Sequence, residues 1–259
     1  MGAGHAHALY VHGHSRVHAM APEAKVAAAL GFVTVVALTP ADLGWAFAGH
    51  AVVLAAVART ARLSVRFVAS RALVVVPFIA FVALIPFVAT GPRTEVLGVA
   101  VSAEGLVAAR TILCKAVLGV TTTVVLAATT ETTAIMRGLN RLRVPTVMTA
   151  IATFMLRYLE VLTGELGRMR TAMTARGYDP RWLWQARPIA SSAGALFVRS
   201  YERGERVHAA MLARGFDGTM PVLDDRRAGR GEWAAAAALP LLALLALLAA
   251  AATRTLGGL

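Results

Sequence analysis

The phrase Ala-Met-Thr-Ala-Arg-Gly-Tyr-Asp at residues 172–179 returns almost unchanged as Ala-Met-Leu-Ala-Arg-Gly-Phe-Asp at residues 210–217. Seven of the eight positions are identical or exchange one aromatic residue for another. Each copy closes an amphipathic run with an arginine followed by a glycine, which is typical of a helix that ends in a left-handed residue. The repeat therefore predicts two helix C-termini of the same design.

Capping alone would explain a single copy, because a cation suits the negative end of a helix and glycine suits the cap. It would require only the arginine (Arg176 or Arg214) and the glycine (Gly177 or Gly215). It would not constrain the Ala-Met before them or the aromatic residue and Asp after them. Two copies with matched flanks favour two similar surfaces that dock on two similar partners.

The composition places the chain among integral membrane proteins. Hydrophobic residues make up 58% of its 259 residues, and the mean hydropathy is +0.65. The excess of 26 Lys and Arg over 14 Asp and Glu fits cytoplasmic loops of a membrane protein. No basic patch interleaved with aromatic residues is present, so nucleic acid is not an expected partner. The single cysteine, Cys114, cannot form an internal disulfide.

Charge-free windows predict an all-α fold with about five transmembrane helices. Arg110 and Lys115 lie at the start of the fourth window, where their side chains can reach the outer interface. Pro77 and Pro86 fall inside the third, where neighbouring groups can satisfy the freed carbonyls. The predicted crossings cover residues 26–41, 43–58, 72–92, about 106–130 with its core at 116–130, and 233–253.

Charge asymmetry predicts the orientation. Basic residues are concentrated at 59–71 and 137–230, so the N-terminus is expected inside and the C-terminus outside. The chain then divides into a His-rich cytoplasmic arm, four crossings, a cytoplasmic domain of helices and a last crossing. These regions span residues 1–22, 23–130, 131–230 and 231–259.

The cytoplasmic domain contains no charge-free interval of spanning length. We interpret Arg157 as pointing to water from an interfacial helix, and Glu160 and Glu165 as solvated charges. A helical stripe in this domain suits packing or binding, and both uses stay open. Its residues are Met155, Leu159, Leu162, Leu166, Met169 and Met173, and a weaker stripe follows at Ile189, Ala193, Leu196, Val207 and Met211.

Motifs for enzymatic chemistry are missing from the sequence. No phosphate-binding G-x-x-x-x-G-K-[ST] loop occurs, and neither an H-E-x-x-H nor a G-x-S-x-G motif is present. We therefore expect a non-catalytic chain without a cofactor or a metal site. The N-terminal histidines are either a disordered polar arm or a weak metal-binding tract. They are His5, His7, His12, His14 and His18.

The chain resembles the transmembrane T component of energy-coupling factor transporters, a class of ABC importers for vitamins and transition metals. The resemblance covers nearly the whole chain. Besides the two Ala-Arg-Gly signatures, it includes Val-His-Ala-Met-Ala-Pro-Glu-Ala-Lys at 17–25 and Arg-Gly-Leu-Asn-Arg-Leu-Arg-Val-Pro at 137–145. Leu-Arg-Tyr at 156–158 also matches, and Ser-Tyr-Glu-Arg-Gly-Glu-Arg at 200–206 is most similar to the cobalt-type CbiQ branch.

The resemblance implies that the signatures end two coupling helices, each docking in a groove of one ATPase subunit. It assigns Ala175, Arg176 and Gly177 to one ATPase subunit, and Ala213, Arg214 and Gly215 to the other. It also implies cobalt import for cobalamin biosynthesis at the cell (inner) membrane. The implied partners are CbiO-like ATPases, a CbiM-like metal-binding membrane subunit and a small CbiN-like accessory subunit.

Three alternatives remain open at this point. The chain could serve nickel or a vitamin, because selectivity would lie in another subunit. It could be a membrane-anchored metal-sequestering or regulatory protein that uses the histidine arm and binds anionic lipid through its basic domain. A membrane enzyme is disfavoured because no convergent set of acid, base and nucleophile is found.

Overall fold

The computed structural model describes residues 10–96, 99–178, 187–218 and 226–257. The described residues form a helical protein with one short β-hairpin, so the predicted all-α membrane class is confirmed. The elements are α1 (Arg16–Ala19), α2 (Pro22–Leu38), α3 (Ala46–Thr60), α4 (Val65–Ala72), α5 (Val76–Val82), α6 (Ile85–Val88), β1 (Arg93–Val96), β2 (Val99–Ser102), α7 (Ala103–Thr129), α8 (Thr132–Arg141), α9 (Thr146–Ala175), α10 (Arg187–Ala213) and α11 (Arg230–Gly257).

The chain divides into two compact units. The bundle unit comprises residues 9–142 and 226–259, and the helix-pair unit comprises residues 143–225. In the bundle unit α2 is central, because it packs against α7, α8 and α11. The largest buried apolar cluster described in the bundle unit is formed by Phe32, Val36, Phe47, Leu54, Leu118 and Ala243.

Prolines divide the predicted third crossing. Pro77 and Pro86 occupy the first turns of α5 and α6, where a missing N–H costs little. A proline in a helix interior would remove a hydrogen bond and clash with the preceding turn, so the helical run is interrupted before each one. A 3₁₀ turn at Leu73–Val75 marks the first interruption.

The polar connection before α7 contains an antiparallel hairpin that the sequence analysis did not predict. β1 pairs with β2 in a register that sets Arg93 opposite Ser102. Ser102 then caps α7 by accepting a hydrogen bond from the Gly105 N–H at 3.2 Å. The hairpin thus ends where the next long helix begins.

Four helical segments among the described residues have the length and composition of a membrane span. This differs from the five predicted crossings, because α2 and α3 have 17 and 15 residues, shorter than a typical crossing. Conversely, α9 has span-like composition although the sequence placed it in the cytoplasmic domain. The five-crossing topology stays a prediction. The four segments are Val65–Val88, Ala103–Thr129, Thr146–Ala175 and Arg230–Arg254.

Polar side chains in the apolar helices bind backbone carbonyls. Lys115 Nζ donates to the Ala37 carbonyl at 2.7 Å, in the last turn of α2, where the helix dipole is negative. Arg110 donates to the Ala41 carbonyl at 3.1 Å. The fully buried His50 links α3 to α11, with 3.1 Å between its Nε2 and the Ala243 carbonyl oxygen.

We predict that Gly105→Ala destabilises the bundle unit, because a Cβ there would lie 2.7 Å from Pro86 Cα. Such overpacking costs about 1–3 kcal/mol. Gly119→Ala in the same helix is the matched control, since a Cβ there meets nothing within 4 Å; it should be neutral or stabilise by up to about 1 kcal/mol. Thermal unfolding in detergent, followed by circular dichroism, measures both. Equal melting temperatures would contradict this packing.

Candidate functional site

Helices α9 and α10 pack side by side in opposite directions. Near the end of α9, the Met173 Sδ lies 3.5 Å from the Ser192 Oγ, near the start of α10. Earlier in α9, Glu165 pairs with Arg199 at 3.1 Å and with Arg203 at 3.6 Å, both later in α10. Contacts that move backwards along one helix and forwards along the other define an antiparallel pair.

Glu165 is the polar centre of this helix pair. Its side chain is only 12% exposed and binds two arginines of α10. The interpretation of Glu165 as a solvated charge is therefore wrong, whereas Glu160 is exposed as expected. A partner 34 positions away in the sequence supplies the charge that makes burial of the carboxylate tolerable.

The apolar stripe predicted on α9 lies only partly in the helix contact. Leu162, Met169 and Met173 are half-buried, whereas Met155, Leu159 and Leu166 are exposed. On α10, the predicted Leu196, Val207 and Met211 are half-buried, whereas Ile189 and Ala193 are exposed. A series of half-buried positions repeats with the same spacing of four, four, three, four and four on both helices. This series is Phe154, Tyr158, Leu162, Glu165, Met169 and Met173 on α9, where Ala150, Ala152, Thr153 and Leu156 are also half-buried, and Ser192, Leu196, Ser200, Arg203, Val207 and Met211 on α10.

The first half of α9 presents an exposed apolar face. Met155 is 63% exposed although it is a large hydrophobic residue. A contiguous apolar surface of this kind marks a contact with lipid or with a protein partner. Arg157 is also exposed, and its interpretation as a water-facing residue stays a prediction. The other exposed apolar residues in this part of α9 are Val147, Met148, Ile151 and Leu159.

The first Ala-Arg-Gly signature ends α9, as the sequence predicted. Gly177 has a left-handed backbone with φ of +78°. Its N–H donates to the Thr174 carbonyl at 3.0 Å, and the Tyr178 N–H donates to the Met173 carbonyl at 3.1 Å. This pair of hydrogen bonds is the Schellman motif, which satisfies carbonyls that the helix end leaves open.

The second signature ends α10 in the same way. Gly215 has φ of +81°, and its N–H donates to the Leu212 carbonyl at 3.0 Å. The Phe216 N–H donates to the Met211 carbonyl, also at 3.0 Å. Both predicted helix C-termini are therefore confirmed, down to the position of the left-handed glycine.

The Schellman motif also accounts for the methionine and the aromatic residue of the repeated phrase. It joins the methionine three residues before the arginine to the aromatic residue two after it, positions that often make a hydrophobic contact. Met173, Tyr178, Met211 and Phe216 are all half-buried. Capping therefore does constrain the methionine and the aromatic residue, contrary to the expectation from the sequence. The Schellman motif itself needs the glycine, whereas the arginine contributes to the cap only through its charge at the negative end of the helix.

The two arginines stand exposed at opposite ends of the helix pair. Arg176 and Arg214 are both exposed, and neither makes an ion pair with a residue that the structure describes. Arg176 lies next to the Met173–Ser192 contact. Arg214 is 22 positions beyond Ser192, or about 33 Å at the helical rise of 1.5 Å per residue. The antiparallel arrangement thus separates the two arginine-bearing helix ends, which we call the tips of the helix pair.

Each tip offers the same chemistry to a partner. A guanidinium presents five donors in a planar fork, which suits carboxylates or carbonyl oxygens in a groove. Ala175 and Ala213 precede the arginines and are exposed, so small side chains leave the approach to each fork open. This geometry suits docking of two similar grooves about 30 Å apart.

The histidines of the N-terminal arm differ in their surroundings. His18 Nε2 lies 3.0 Å from the Val11 carbonyl oxygen, and its Nδ1 lies 2.7 Å from Ser15 Oγ. Burial lowers the pKa of His18, and the hydrogen bond to Val11 opposes that effect. His12 and His14 are exposed, and the remaining two, His5 and His7, fall outside the described residues. Within the described ranges, no group of three metal-binding side chains comes together.

Comparison with known proteins points to one family. A family model described as CbiQ, cobalt transport protein, matches residues 13–223. The cobalt transport protein CbiQ of Rhodobacter capsulatus is 31% identical over 169 residues, which cover 65% of this chain and 67% of that protein.

Two archaeal relatives are more distant. A protein of Methanocorpusculum labreanum, assigned as a fused cobalt transport protein CbiMQ, is 26% identical over 125 residues. The match covers 48% of this chain and about a fifth, 21%, of the fused relative. An uncharacterised protein of Methanocaldococcus jannaschii is 28% identical over 121 residues, 46% of this chain and 41% of its own.

We predict that Gly177→Ala and Gly215→Ala each fray a helix end, since a Cβ is strained at the left-handed φ values of these residues. The expected cost is about 1–2 kcal/mol per site. Gly194→Ala, inside α10 with open space around it, is the control and should stabilise by about 0.5–1 kcal/mol. Hydrogen exchange at residues 174–178 and 212–216 measures fraying. Unchanged protection in both glycine variants would contradict the left-handed caps.

Proposed function

The chain belongs to the CbiQ family of cobalt transport proteins, and from that membership we propose that it is the scaffold and coupling subunit of an energy-coupling factor importer. The resemblance predicted from the sequence is confirmed at the level of the family. The protein is a multi-pass membrane component of cobalt transport. In the proposed role it transmits the motion of partner ATPases to a metal-binding membrane subunit.

The observation that supports this role most directly is the pair of exposed arginines at opposite ends of α9 and α10. A transporter driven by two ATPase subunits needs two equivalent docking points, one for each subunit. Arg176 and Arg214 share their caps, their flanking residues and their exposure. One tip, formed by Ala175, Arg176 and Gly177, would dock on one ATPase. The other, formed by Ala213, Arg214 and Gly215, would dock on its twin.

Transmission then follows from the rigidity of the helix pair. The half-buried Glu165 binds Arg199 and Arg203 across the contact, which resists sliding of one helix along the other. When the two ATPase subunits close on ATP, each would carry one tip with it. A pair that is locked at its centre moves as a body, so the displacement reaches the rest of the chain. ATP hydrolysis itself belongs to the partner.

The proposed membrane partners come from the relatives and from the resemblance. The fused relative joins the names CbiM and Q in one polypeptide, which supports a CbiM-like subunit as the metal-binding partner of this chain. A small CbiN-like accessory subunit completes the assembly. The exposed apolar face of α9 around Met155 is a suitable surface for a membrane partner or lipid.

The proposed setting is the cell (inner) membrane, with the N-terminus and the helix pair in the cytoplasm. The positive-inside rule supports this orientation, because arginines are dense in residues 137–230. Cobalt, taken up for cobalamin biosynthesis, is the proposed substrate. The partner subunit would hold the ion, so this chain needs no ion site of its own.

We predict that the double variant Arg176→Glu and Arg214→Glu loses its ATPase partners. Each substitution replaces a donor fork by a carboxylate, and mutating one side of such a desolvated charge contact costs about 2–5 kcal/mol. A pull-down with the co-expressed ATPase, followed by ATP-dependent Co²⁺ uptake into vesicles, measures both losses.

The matched control is Arg170→Glu with Arg206→Glu, which changes the net charge equally on the same two helices. Arg170 and Arg206 are exposed but lie away from the caps. This control should keep the ATPase bound. Normal assembly of the signature variant, or equal loss in the control, would overturn the docking role.

We also predict that replacing His5, His7, His12 and His14 by Gln leaves Co²⁺ uptake within about twofold of the unmodified complex, less than 0.5 kcal/mol in free energy. His18 is kept because it binds Val11 and Ser15. Uptake of Co²⁺ and Ni²⁺ is compared in the same vesicles. If the variant loses uptake, the sequestering role of the histidine arm gains support over the coupling role.

A further inference from the structure

The two points where the chain leaves and re-enters the bundle unit meet at the first turn of α2. Glu23, with a side chain only 5% exposed, accepts hydrogen bonds from Arg141, the last residue of α8, at 3.2 and 3.3 Å. The same carboxylate accepts the N–H of Ala228 at 2.7 Å, just before α11. One buried carboxylate therefore holds both chain segments that flank residues 143–225.

We call the contacts of Glu23 with Arg141 and Ala228 the joint, and a second carboxylate belongs to it. Glu232, in the first turn of α11, accepts the N–H of Ala21 at 3.2 Å and that of Gly229 at 3.0 Å. It also pairs with Arg226 at 3.0 Å. An acid in the first turn of each helix thus binds a backbone N–H near the start of the other: Ala21 directly precedes α2, and Ala228 lies two residues before α11. This arrangement satisfies donors that helix N-termini leave open.

The neighbouring contacts bring α8 and α7 into the same joint. A Cβ on Gly138 of α8 would lie 3.0 Å from the Glu23 nitrogen, so the helix approaches α2 as closely as a glycine permits. The buried Lys25 donates to the carbonyl of Thr129, the last residue of α7, at 2.8 Å. The first turn of α2 is therefore fixed to α7, α8 and α11.

The carboxylate of Glu23 is held in its charged form. Glu23 precedes the apolar window at residues 26–41. Burial by itself would raise the pKa of Glu23, but hydrogen bonds from its own N–H, from Ala228 and from Arg141 outweigh burial and lower it. The joint is intact at neutral pH, and its contribution to stability is lost as the pH falls through this lowered pKa.

We infer that Glu23 is a positioning residue for transport. By binding Arg141 and Ala228, it holds against α2 both chain segments that lead into the helix-pair unit. This inference rests on the proposed coupling function. These two segments are the covalent connections between residues 143–225 and the bundle unit. Because both are fastened to α2, and α2 packs against α7, α8 and α11, a displacement of the helix pair moves α2 rather than bending two independent linkers.

The test compares transport with ATP hydrolysis in the full complex, reconstituted into vesicles with the ATPase and the metal-binding subunit. Glu23→Gln removes the charge while keeping an acceptor for Ala228. We expect it to bind the ATPase normally but to transport about tenfold less Co²⁺ per ATP hydrolysed, the size expected for loss of one charged hydrogen bond. A purely structural role would reduce the amount of complex without changing this ratio.

Asp42→Asn is the matched control, since Asp42 pairs with Arg254 in the same unit but beyond the other end of α2. Its ratio of Co²⁺ to ATP should equal that of the unmodified complex. If Glu23→Gln does not assemble, Arg141→Gln is measured instead, because it leaves the bond from Ala228 to Glu23 intact.

The outcomes distinguish failure of the proposed function from failure of the inference about Glu23. An unmodified chain that binds no ATPase overturns the proposed function, and the inference with it. A complex that assembles, but whose Glu23→Gln or substitute Arg141→Gln variant keeps the full ratio of Co²⁺ to ATP, overturns the inference alone. A lowered ratio in Asp42→Asn as well would also overturn it, since the effect would then not be specific to the joint.

Discussion

The bundle unit depends on reciprocal hydrogen bonds between the starts of α2 and α11, in which a carboxylate of each helix binds backbone near the other. Glu23 and Glu232 each bind backbone N–H groups at the other helix, and Arg141 and Arg226 neutralise the two charges. A buried carboxylate is stable only when its charge is paired and its lone pairs are satisfied. The joint therefore fixes helices that are more than 200 residues apart in sequence.

The helix-pair unit depends on a similar device. Glu165 sits in an otherwise largely apolar contact and binds two arginines of α10. Apolar side chains alone would allow the helices to slide, because hydrophobic contact is not directional. A charged hydrogen bond sets one register. With the register fixed, the lengths of α9 and α10 place Arg176 and Arg214 at defined and opposite positions.

Much of the candidate site was accessible from the sequence, because its geometry is local. The Schellman caps involve residues within six positions of each other, so Gly177 and Gly215 could be recognised by type and spacing. The roles of Glu23 and Glu165 could not, since the local sequence does not show which distant basic residue each acid binds. Only folding brings Arg141 and Arg199 to them.

The sequence by itself determined the membrane class, the two capped helix ends and the family. These follow from composition and from hydrogen bonds within one turn, which a short stretch of chain specifies without help. The tertiary structure decided that α9 and α10 run antiparallel and that Arg176 and Arg214 are therefore far apart. It also decided that Glu23 binds both chain segments that lead into the helix pair. These features need partners distant in sequence, which only the packing of whole helices brings within hydrogen-bonding distance.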